Sequence, residues 1–141
     1  RLMDINLKAP YFLSKAAAKV MKSQNKGSIL NIASIWSVIS KAQRSLYTSS
    51  KSGLAGMTRS LAAELAPFGI SVNSLSPGFI LTDLTKMSLS EKERADLANE
   101  VPMKRFGSPE EMANLAYFLC SDENSFMTGQ NIVSDGGFTL V

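Results

Sequence analysis

The chain has 141 residues with 45% apolar and 19% charged side chains, which is enough for one globular domain and short for two. It contains no histidine and one cysteine, Cys120, which excludes Ser-His-Asp and Cys-His nucleophile systems, Cys/His zinc sites and intrachain disulfides. The net charge of +3 is spread along the chain without a basic stripe interleaved with aromatic residues, so we expect no nucleic-acid binding.

Apolar periodicity predicts helices and strands in alternation. The expected helices are residues 1–24, 45–66, a short one within 79–107, and 108 to about 120. The expected strands are residues 28–33, 70–75 and 131–134. Gly27 is expected to end the first helix, while Ser90 with Glu93 forms a capping box and Ser108-Pro109 begins the last helix. This order favours an α/β fold with a parallel sheet covered on both faces.

Features that the sequence lacks bear on the cellular compartment of the protein. No apolar run reaches the ~18 residues that a membrane-spanning helix needs, and no membrane interaction is expected. The first residues also lack the charged-then-apolar pattern of a signal peptide. A single cysteine fits a reducing compartment, and we expect a cytoplasmic protein without a metal site.

A tyrosine and a lysine on one helix face are the first candidates for chemistry. Tyr47 and Lys51 stand four residues apart and share a face of the predicted helix. A neighbouring ammonium favours the phenolate form of a tyrosine, which suits general acid–base transfer near neutral pH. The spacing alone does not decide the matter, because Tyr11 and Lys15 repeat it.

A serine distinguishes the two tyrosine–lysine pairs. Ser34 follows the first predicted strand and precedes Tyr47, whereas no such strand or serine precedes Tyr11. Ligands of open α/β sheets bind beyond the carboxyl ends of the strands, where Ser34 is placed to donate a hydrogen bond to a substrate carbonyl. The alternative is that Ser34 only caps its loop.

Several motifs, taken in chain order, resemble the C-terminal part of a short-chain dehydrogenase/reductase. They are the strand ending at Ser34, Tyr47-x-x-x-Lys51, Ser76-Pro77-Gly78-Phe79-Ile80-Leu81-Thr82 and Asp135-Gly136-Gly137. Within that family the chain is most similar to the 3-oxoacyl-(acyl-carrier-protein) reductases, which residues 101–111 and 128–130 also fit. The resemblance covers almost the whole chain and implies a doubly wound, Rossmann-like parallel sheet.

The resemblance implies an oxidoreductase that moves hydride between NAD or NADP and a ketone or secondary alcohol, small or acyl-carrier-linked. It implies that Tyr47 donates and accepts the proton, that Lys51 assists it and holds the nicotinamide ribose, and that Ser34 orients the substrate oxygen. By the same resemblance, the cofactor contacts fall on Tyr47, Lys51, Pro77, Gly78, Ile80 and Thr82. The alternative for Pro77-Gly78 is an ordinary turn at the end of a strand.

The family's fourth catalytic position falls on Asn6. Pro10, four residues on, has no N–H to bond the Asn6 carbonyl in a helix, so the helix is expected to kink there. The freed carbonyl would hold a water that leads protons toward Lys51. The alternative is a helix that starts at Pro10, with Asn6 as a nearby cap.

The family's glycine-rich pyrophosphate turn does not occur in this sequence, although roughly 100 residues would precede Arg1 in a typical doubly wound domain. We therefore expect residues 1–141 to be the C-terminal portion of a single domain. Alone they are expected neither to bind nicotinamide cofactor well nor to turn over. Residues 79–107 match the family's substrate-covering lid, where Lys104 and Arg105 either attract an acidic carrier protein or are a solvated basic pair.

Self-association is the last expectation. The family forms tetramers through the two long helices on either side of the first strand and through the last strand, and the apolar residues of 45–66 and 138–141 are consistent with buried interfaces. The alternative to an enzyme is a non-catalytic relative that uses the same fold for binding or oligomer assembly. The presence of Asn6, Ser34, Tyr47 and Lys51 together argues against that alternative.

Overall fold

The computed structural model describes residues 1–141, and three parallel strands form its sheet in the order β1-β2-β3. The strands are β1 (Gly27–Ile32), β2 (Ile70–Pro77) and β3 (Asn131–Ser134). The β1–β2 register runs from Gly27 opposite Ile70 to Ile32 opposite Leu75. The predicted parallel α/β sheet is confirmed, and β1 is one of its edges.

Five α-helices connect and cover the strands. They are α1 (Ala9–Gln24), α2 (Ser45–Leu65), α3 (Asp83–Ser88), α4 (Glu91–Glu100) and α5 (Pro109–Cys120). A π-helix at Asp4–Lys8 precedes α1, and short 3-10 helices lie at Ile35–Ser37, Ala66–Phe68 and Phe138–Leu140. None of the helices combines the length and apolar composition that crossing a bilayer requires.

The two faces of the sheet are covered by different helices. Consecutive residues of a strand point to opposite faces. Ile29 packs against the core shared by α1, α2 and β2, whereas the hydroxyl of Ser28 donates to the Leu119 carbonyl in α5. The helix α2 packs on the same face as α1, and because it follows the carboxyl end of β1 in the chain, its beginning lies near that end of the sheet.

The end of α1 differs from the prediction. The helix ends at Gln24, and Asn25 takes the left-handed conformation (φ 50°) with its N–H donating to the carbonyls of Met21 and Lys22. Asparagine tolerates that conformation better than other side-chain-bearing residues, so it caps the helix as glycine commonly does. The expectation that Gly27 ends the helix was wrong, since Gly27 is already the first residue of β1.

The segment 79–107 holds two helices where the sequence predicted one. The helix α4 begins at Ser90 with the expected capping box to Glu93. The additional helix, α3, begins at Thr82, whose hydroxyl accepts a hydrogen bond from the Thr85 N–H. The guanidinium of Arg94 donates to two carbonyls at the end of α3 and so ties the two helices together.

Candidate active site

Ser34 lies just beyond the carboxyl end of β1 and is 8% exposed. Its Oγ accepts a hydrogen bond from the Trp36 N–H at 3.4 Å and caps the 3-10 helix that follows. The capping role considered from the sequence is therefore present. Capping uses a lone pair of the oxygen, and the Ser34 hydroxyl donates to no protein group, so its proton is free for a ligand.

The amine of Lys51 reaches the same edge of the sheet from α2. Its Nζ donates to the carbonyl of Ile32, two residues before Ser34, at 2.9 Å. The same Nζ lies 5.8 Å from the centre of the Tyr47 ring. Lys51 is half-buried, and burial lowers the pKa of its amine because desolvation disfavours the charged form. The strand end carrying Ser34 and the Tyr47–Lys51 helix face are thus brought together.

The second pair with the same spacing lies elsewhere. Tyr11 and Lys15 are on α1, where Tyr11 is exposed and packs edge-on against Phe12 with 5.3 Å between ring centres. Both residues line a cavity between α1 and α2 that includes neither Tyr47 nor Ser34. The structure therefore distinguishes Tyr47, which lies with Lys51 near the end of β1, from Tyr11, whereas the tyrosine–lysine spacing alone does not.

Asn6 approaches the Tyr47–Lys51 pair through Ser50. The Asn6 Nδ2 donates to the Ser50 Oγ at 3.2 Å, and Ser50, which is fully buried, donates to the Tyr47 carbonyl at 2.7 Å. Asn6 and Lys51 also line one cavity of about 470 Å³ along β1. Asn6 therefore does not face away from Lys51.

The backbone around Asn6 is a π-helix, which is neither the kinked α-helix nor the simple cap considered from the sequence. The Ala9 N–H donates to the Asp4 carbonyl, five residues back, and Leu2 and Met3 before the π-turn are helical as well, so the π-turn lies within a continuous helix. Pro10 follows the π-turn and contributes no N–H to the helix hydrogen bonds, as expected from the sequence. Single π-turns of this kind are frequent at functional sites.

The turn after β2 has a structural reason for its glycine. A Cβ on Gly78 would meet the Cβ and Cα of Asp135 at 2.6 and 2.7 Å, so no side chain fits there. The Gly78 N–H also donates to the Ser134 carbonyl at 2.9 Å. The hydroxyl of Thr82 caps α3, and the Ile80 carbonyl accepts from Thr85. These contacts explain the local motif through the packing of the chain itself.

A closed hydrogen-bond ring behind Ser34 has no counterpart in the sequence analysis. Asn131 Nδ2 donates to Ser37 Oγ (2.9 Å), Ser76 Oγ donates to Asn131 Oδ1 (2.6 Å), and the two serine oxygens lie 2.9 Å apart. Since the Ser76 proton is used on Asn131, Ser37 is the donor to Ser76. Ser74 adds a further bond to Oδ1 at 2.9 Å, and the Ser37 N–H donates to the Ser34 carbonyl.

The ring ties the turn that carries Ser34 to β2 and β3. The sequence signal for it is weak: Ser74 and Ser76 are two residues apart and so share one face of β2, but the strand also contains the polar residues Ser71 and Asn73. Their partner Asn131 is more than fifty residues away, so no local pattern identifies it.

The basic pair in the segment 79–107 is engaged within the chain. Arg105 forms two hydrogen bonds to the Glu111 carboxylate, at 2.6 and 2.9 Å. This contact, with hydrogen bonds from the Ser108 backbone, lowers the pKa of Glu111 to about 2. Lys104 donates to the carbonyl of Asn99 at 2.7 Å. Both side chains thus have local partners, with Lys104 in the left-handed conformation (φ 55°).

A family profile described as enoyl-(acyl carrier protein) reductase matches residues 1–139. The chain belongs to this family of short-chain dehydrogenases/reductases, and the resemblance drawn from its motifs is confirmed.

A 3-oxoacyl-[acyl-carrier-protein] reductase of Rickettsia felis is 43% identical over 141 residues, which cover all of this chain and 58% of the relative. The structure of a 4-hydroxyisoleucine dehydrogenase complexed with NADH matches 99% of this chain and 58% of its own, with a TM-score of 0.93 and 37% identity. A gluconate 5-dehydrogenase from Burkholderia cenocepacia, in complex with NADP and tartrate, matches 99% of this chain and 55% of its own, with a TM-score of 0.92 and 29% identity. The chain thus spans a little more than half the length of these relatives.

Proposed function

We propose that this chain carries the acid–base half of an oxidoreductase that transfers hydride between NAD(P)H and a ketone, or in reverse from a secondary alcohol. The observation that carries the proposal is the hydrogen bond from Lys51 Nζ to the Ile32 carbonyl at 2.9 Å. It holds a helix bearing Tyr47 against the strand end from which Ser34 projects. A phenol, an ammonium and a free hydroxyl at the carboxyl end of a parallel sheet suit proton transfer to a substrate oxygen.

Each residue has a role in the proposed reduction. Tyr47 gives its phenolic proton to the substrate oxygen, and Ser34 donates a hydrogen bond to that oxygen and fixes its position. Lys51 supplies a positive charge that favours the resulting phenolate. Asn6 donates a hydrogen bond to Ser50 in the first turns of α2. It is also proposed to bind a water that leads protons toward Lys51. The bound nicotinamide supplies the hydride, or accepts it in the oxidative direction.

The residues at this edge fit a nicotinamide nucleotide. The donor set at the end of β1 is the Lys51 ammonium, whose pKa is lowered by burial, together with the Ser34 hydroxyl two residues beyond the Ile32 carbonyl that Lys51 contacts. An ammonium donor is suited to neutral hydroxyl acceptors such as those of a ribose. The relatives crystallised with NADP and with NADH support either cofactor. Pro77, Gly78, Ile80 and Thr82 are proposed as further contacts, although the packing described above also accounts for them.

The whole protein is proposed to act on a small or acyl-carrier-linked carbonyl compound, in the cytoplasm and as a homotetramer. The named substrates of the relatives differ widely, from 3-oxoacyl groups to 4-hydroxyisoleucine and gluconate, and do not select one. Exposed apolar side chains of α1 and of the last residues support self-association, namely Phe12, Val20, Leu140 and Val141. Residues 1–141 are proposed as the C-terminal portion of one domain, with 79–107 as its lid.

The test compares two tyrosine variants of the whole protein. Tyr47→Phe removes the proposed proton donor and is expected to lower kcat by about 100- to 10,000-fold, the range typical of general acid–base catalysis. Tyr11→Phe is the matched control, because it removes the same hydroxyl at the same spacing to a lysine, and it is expected to retain activity. Both are measured by the absorbance of reduced nicotinamide with a panel of ketones.

The second measurement is cofactor binding, determined by titrating each variant with NADH and with NADPH. Tyr47→Phe is expected to bind the cofactor nearly as wild type does, because the lost group is the proton donor. Equal turnover by wild type and Tyr47→Phe would overturn the assignment of the proton donor. A whole protein that binds no nicotinamide and reduces no ketone would instead be a non-catalytic relative.

A further inference from the structure

A cavity of about 850 Å³ opens beside the candidate site on the carboxyl side of the sheet. Its walls come from the loop after β1, the beginning of the segment after β2, the helices α3 and α4, and the last residues of the chain. Most of these walls are apolar and include Trp36, Phe79, Leu97 and Phe138. A concave, largely apolar space with a few polar groups is the usual form of a small-molecule site.

The polar groups of the cavity are unevenly charged. Its lining side chains include two cations, Lys41 and Arg44, against one carboxylate, Glu100. Neither Lys41 nor Arg44 forms a side-chain hydrogen bond or an ion pair with another group of the protein, in contrast to Arg105, which is fully engaged by Glu111. The two cations are therefore available to a ligand.

The exposed side chain of Arg44 borders the cavity. Its guanidinium carbon lies 6.0 Å from the centre of the Trp36 ring, at the outer limit of a cation–π contact, and both side chains line the cavity. The planar guanidinium presents paired N–H donors whose spacing matches the two oxygens of a carboxylate.

Arg44 and Trp36 also connect the cavity to the candidate site. Arg44 is the N-cap residue of α2 and stands three residues before Tyr47, so the two share a face of the helix start. Trp36 follows Ser34 by two residues, and its backbone N–H donates to the Ser34 hydroxyl oxygen. A ligand that lies along the cavity with one end at Arg44 is bordered by the residues next to the proposed proton donor.

We propose that the substrate is an oxo acid, or in reverse a hydroxy acid, whose carboxylate binds Arg44 and whose apolar body fills the cavity. The inference rests on the proposed function and adds its substrate class. Arg44 is the specificity-determining residue, and Lys41 adds positive charge at the same end. The carbonyl to be reduced is separated from the carboxylate by a short chain, as Arg44 is separated from Tyr47 by one helical turn.

The experiment measures oxidation of 3-hydroxyhexanoate and of its methyl ester by the whole protein. The two compounds share the alcohol and the apolar chain and differ in the negative charge. Wild type is expected to prefer the acid, and Arg44→Gln is expected to lower kcat/KM for the acid by about 10- to 100-fold, the worth of a charge-assisted hydrogen bond. The loss should appear mainly in KM, and kcat/KM for the ester should fall by clearly less than kcat/KM for the acid. Arg59→Gln is the matched control, an exposed arginine on the same helix outside the cavity.

A binding readout separates this inference from the proposed function. Trp36 is the only tryptophan of the chain, so its fluorescence is expected to change on addition of 3-hydroxyhexanoate and to respond more weakly in Arg44→Gln. Trp36→Phe identifies the source of the signal. Equal use of acid and ester by wild type, or equal losses for both in Arg44→Gln, would overturn the substrate class while leaving the hydride transfer intact. Oxidation of neither compound, with retained activity on other alcohols, would overturn it as well. No activity on any alcohol or ketone, with Trp36 fluorescence still reporting the acid and not the ester, would overturn the proposed function and the substrate class with it, and would leave Arg44 only as a carboxylate-binding residue.

Discussion

Replacing Asn131 with alanine tests the hydrogen-bond ring behind Ser34. The substitution removes the amide that accepts from Ser74 and Ser76 and donates to Ser37. Ser74 and Ser76 are completely buried, so water does not readily replace the lost partner. The perturbation thus leaves hydroxyls in the interior without their shortest hydrogen bonds.

The expected loss follows from the partners that remain. Ser76 keeps Ser37 at 2.9 Å, and Ser74 keeps only the Gln130 carbonyl at 3.4 Å. A buried polar group that loses its partner costs about 1–3 kcal/mol, so two weakened hydroxyls give a decrease of about 2–4 kcal/mol in the free energy of unfolding. The turn carrying Ser34 loses its tie to β3 at the same time, and kcat of the whole protein is expected to fall as well.

Urea unfolding of the whole protein followed by circular dichroism measures the change as a lower midpoint with an unchanged slope. Asn114→Ala is the matched control, since that exposed asparagine of α5 forms no side-chain hydrogen bond in the structure. The double variant with Ser76→Ala is expected to be less destabilised than the sum of the single variants by about 1–2 kcal/mol, because the partners share one ring. Additive losses, or an Asn131→Ala midpoint equal to that of the control, would refute the ring.

Two further predictions concern packing and pH. Gly78→Ala places a Cβ at 2.6 Å from Asp135 and is expected to destabilise the protein by about 1–3 kcal/mol, whereas Gly56→Ala meets only the tip of Arg59 at 3.7 Å and, in mid-helix, is expected to stabilise it by about 0.5–1 kcal/mol; equal urea midpoints would contradict this. Glu111 has a pKa lowered from 4.5 to about 2, so its contribution is present above pH 4.5 and disappears as pH falls to about 2. The difference between the urea midpoints of wild type and Glu111→Gln should therefore shrink over that window, and a constant difference would contradict the ion pair with Arg105.

The elements that depend on local signals were predictable. The Ser90–Glu93 capping box begins α4 and the Ser108-Pro109 start begins α5, because cap and helix are adjacent in the chain. The strands were identified by short apolar runs, and each lies within two residues of its expected bounds. The end of α1 was misplaced, since glycine is the commoner left-handed residue and Asn25 carried no distinguishing signal.

The candidate site also has a part that was predictable from local sequence patterns and a part that was not. The shared face of Tyr47 and Lys51 follows from helix geometry, whereas the bond from Lys51 to Ile32 depends on how α2 lies on the sheet. The sequence offered no means to find Asn131 behind Ser34, because a hydrogen bond across so many residues exists only once the strands are paired. The roles assigned to Asn6, Ser34, Tyr47 and Lys51 stay predictions until the variants are measured.

The direction in which the Asn6 amide points depends on the number of residues in the π-turn Asp4–Lys8. A π-turn contains one residue more than an α-turn, and each residue of an α-helix advances by about 100° around the axis. Loss of Leu7 or Lys8, which lie between Asn6 and α1, is expected to leave a regular helix and to rotate Asn6 by about 100° away from Ser50, although every side chain of the remaining site would be unaltered. Chain length in this turn is therefore constrained as strictly as the identity of the amide itself.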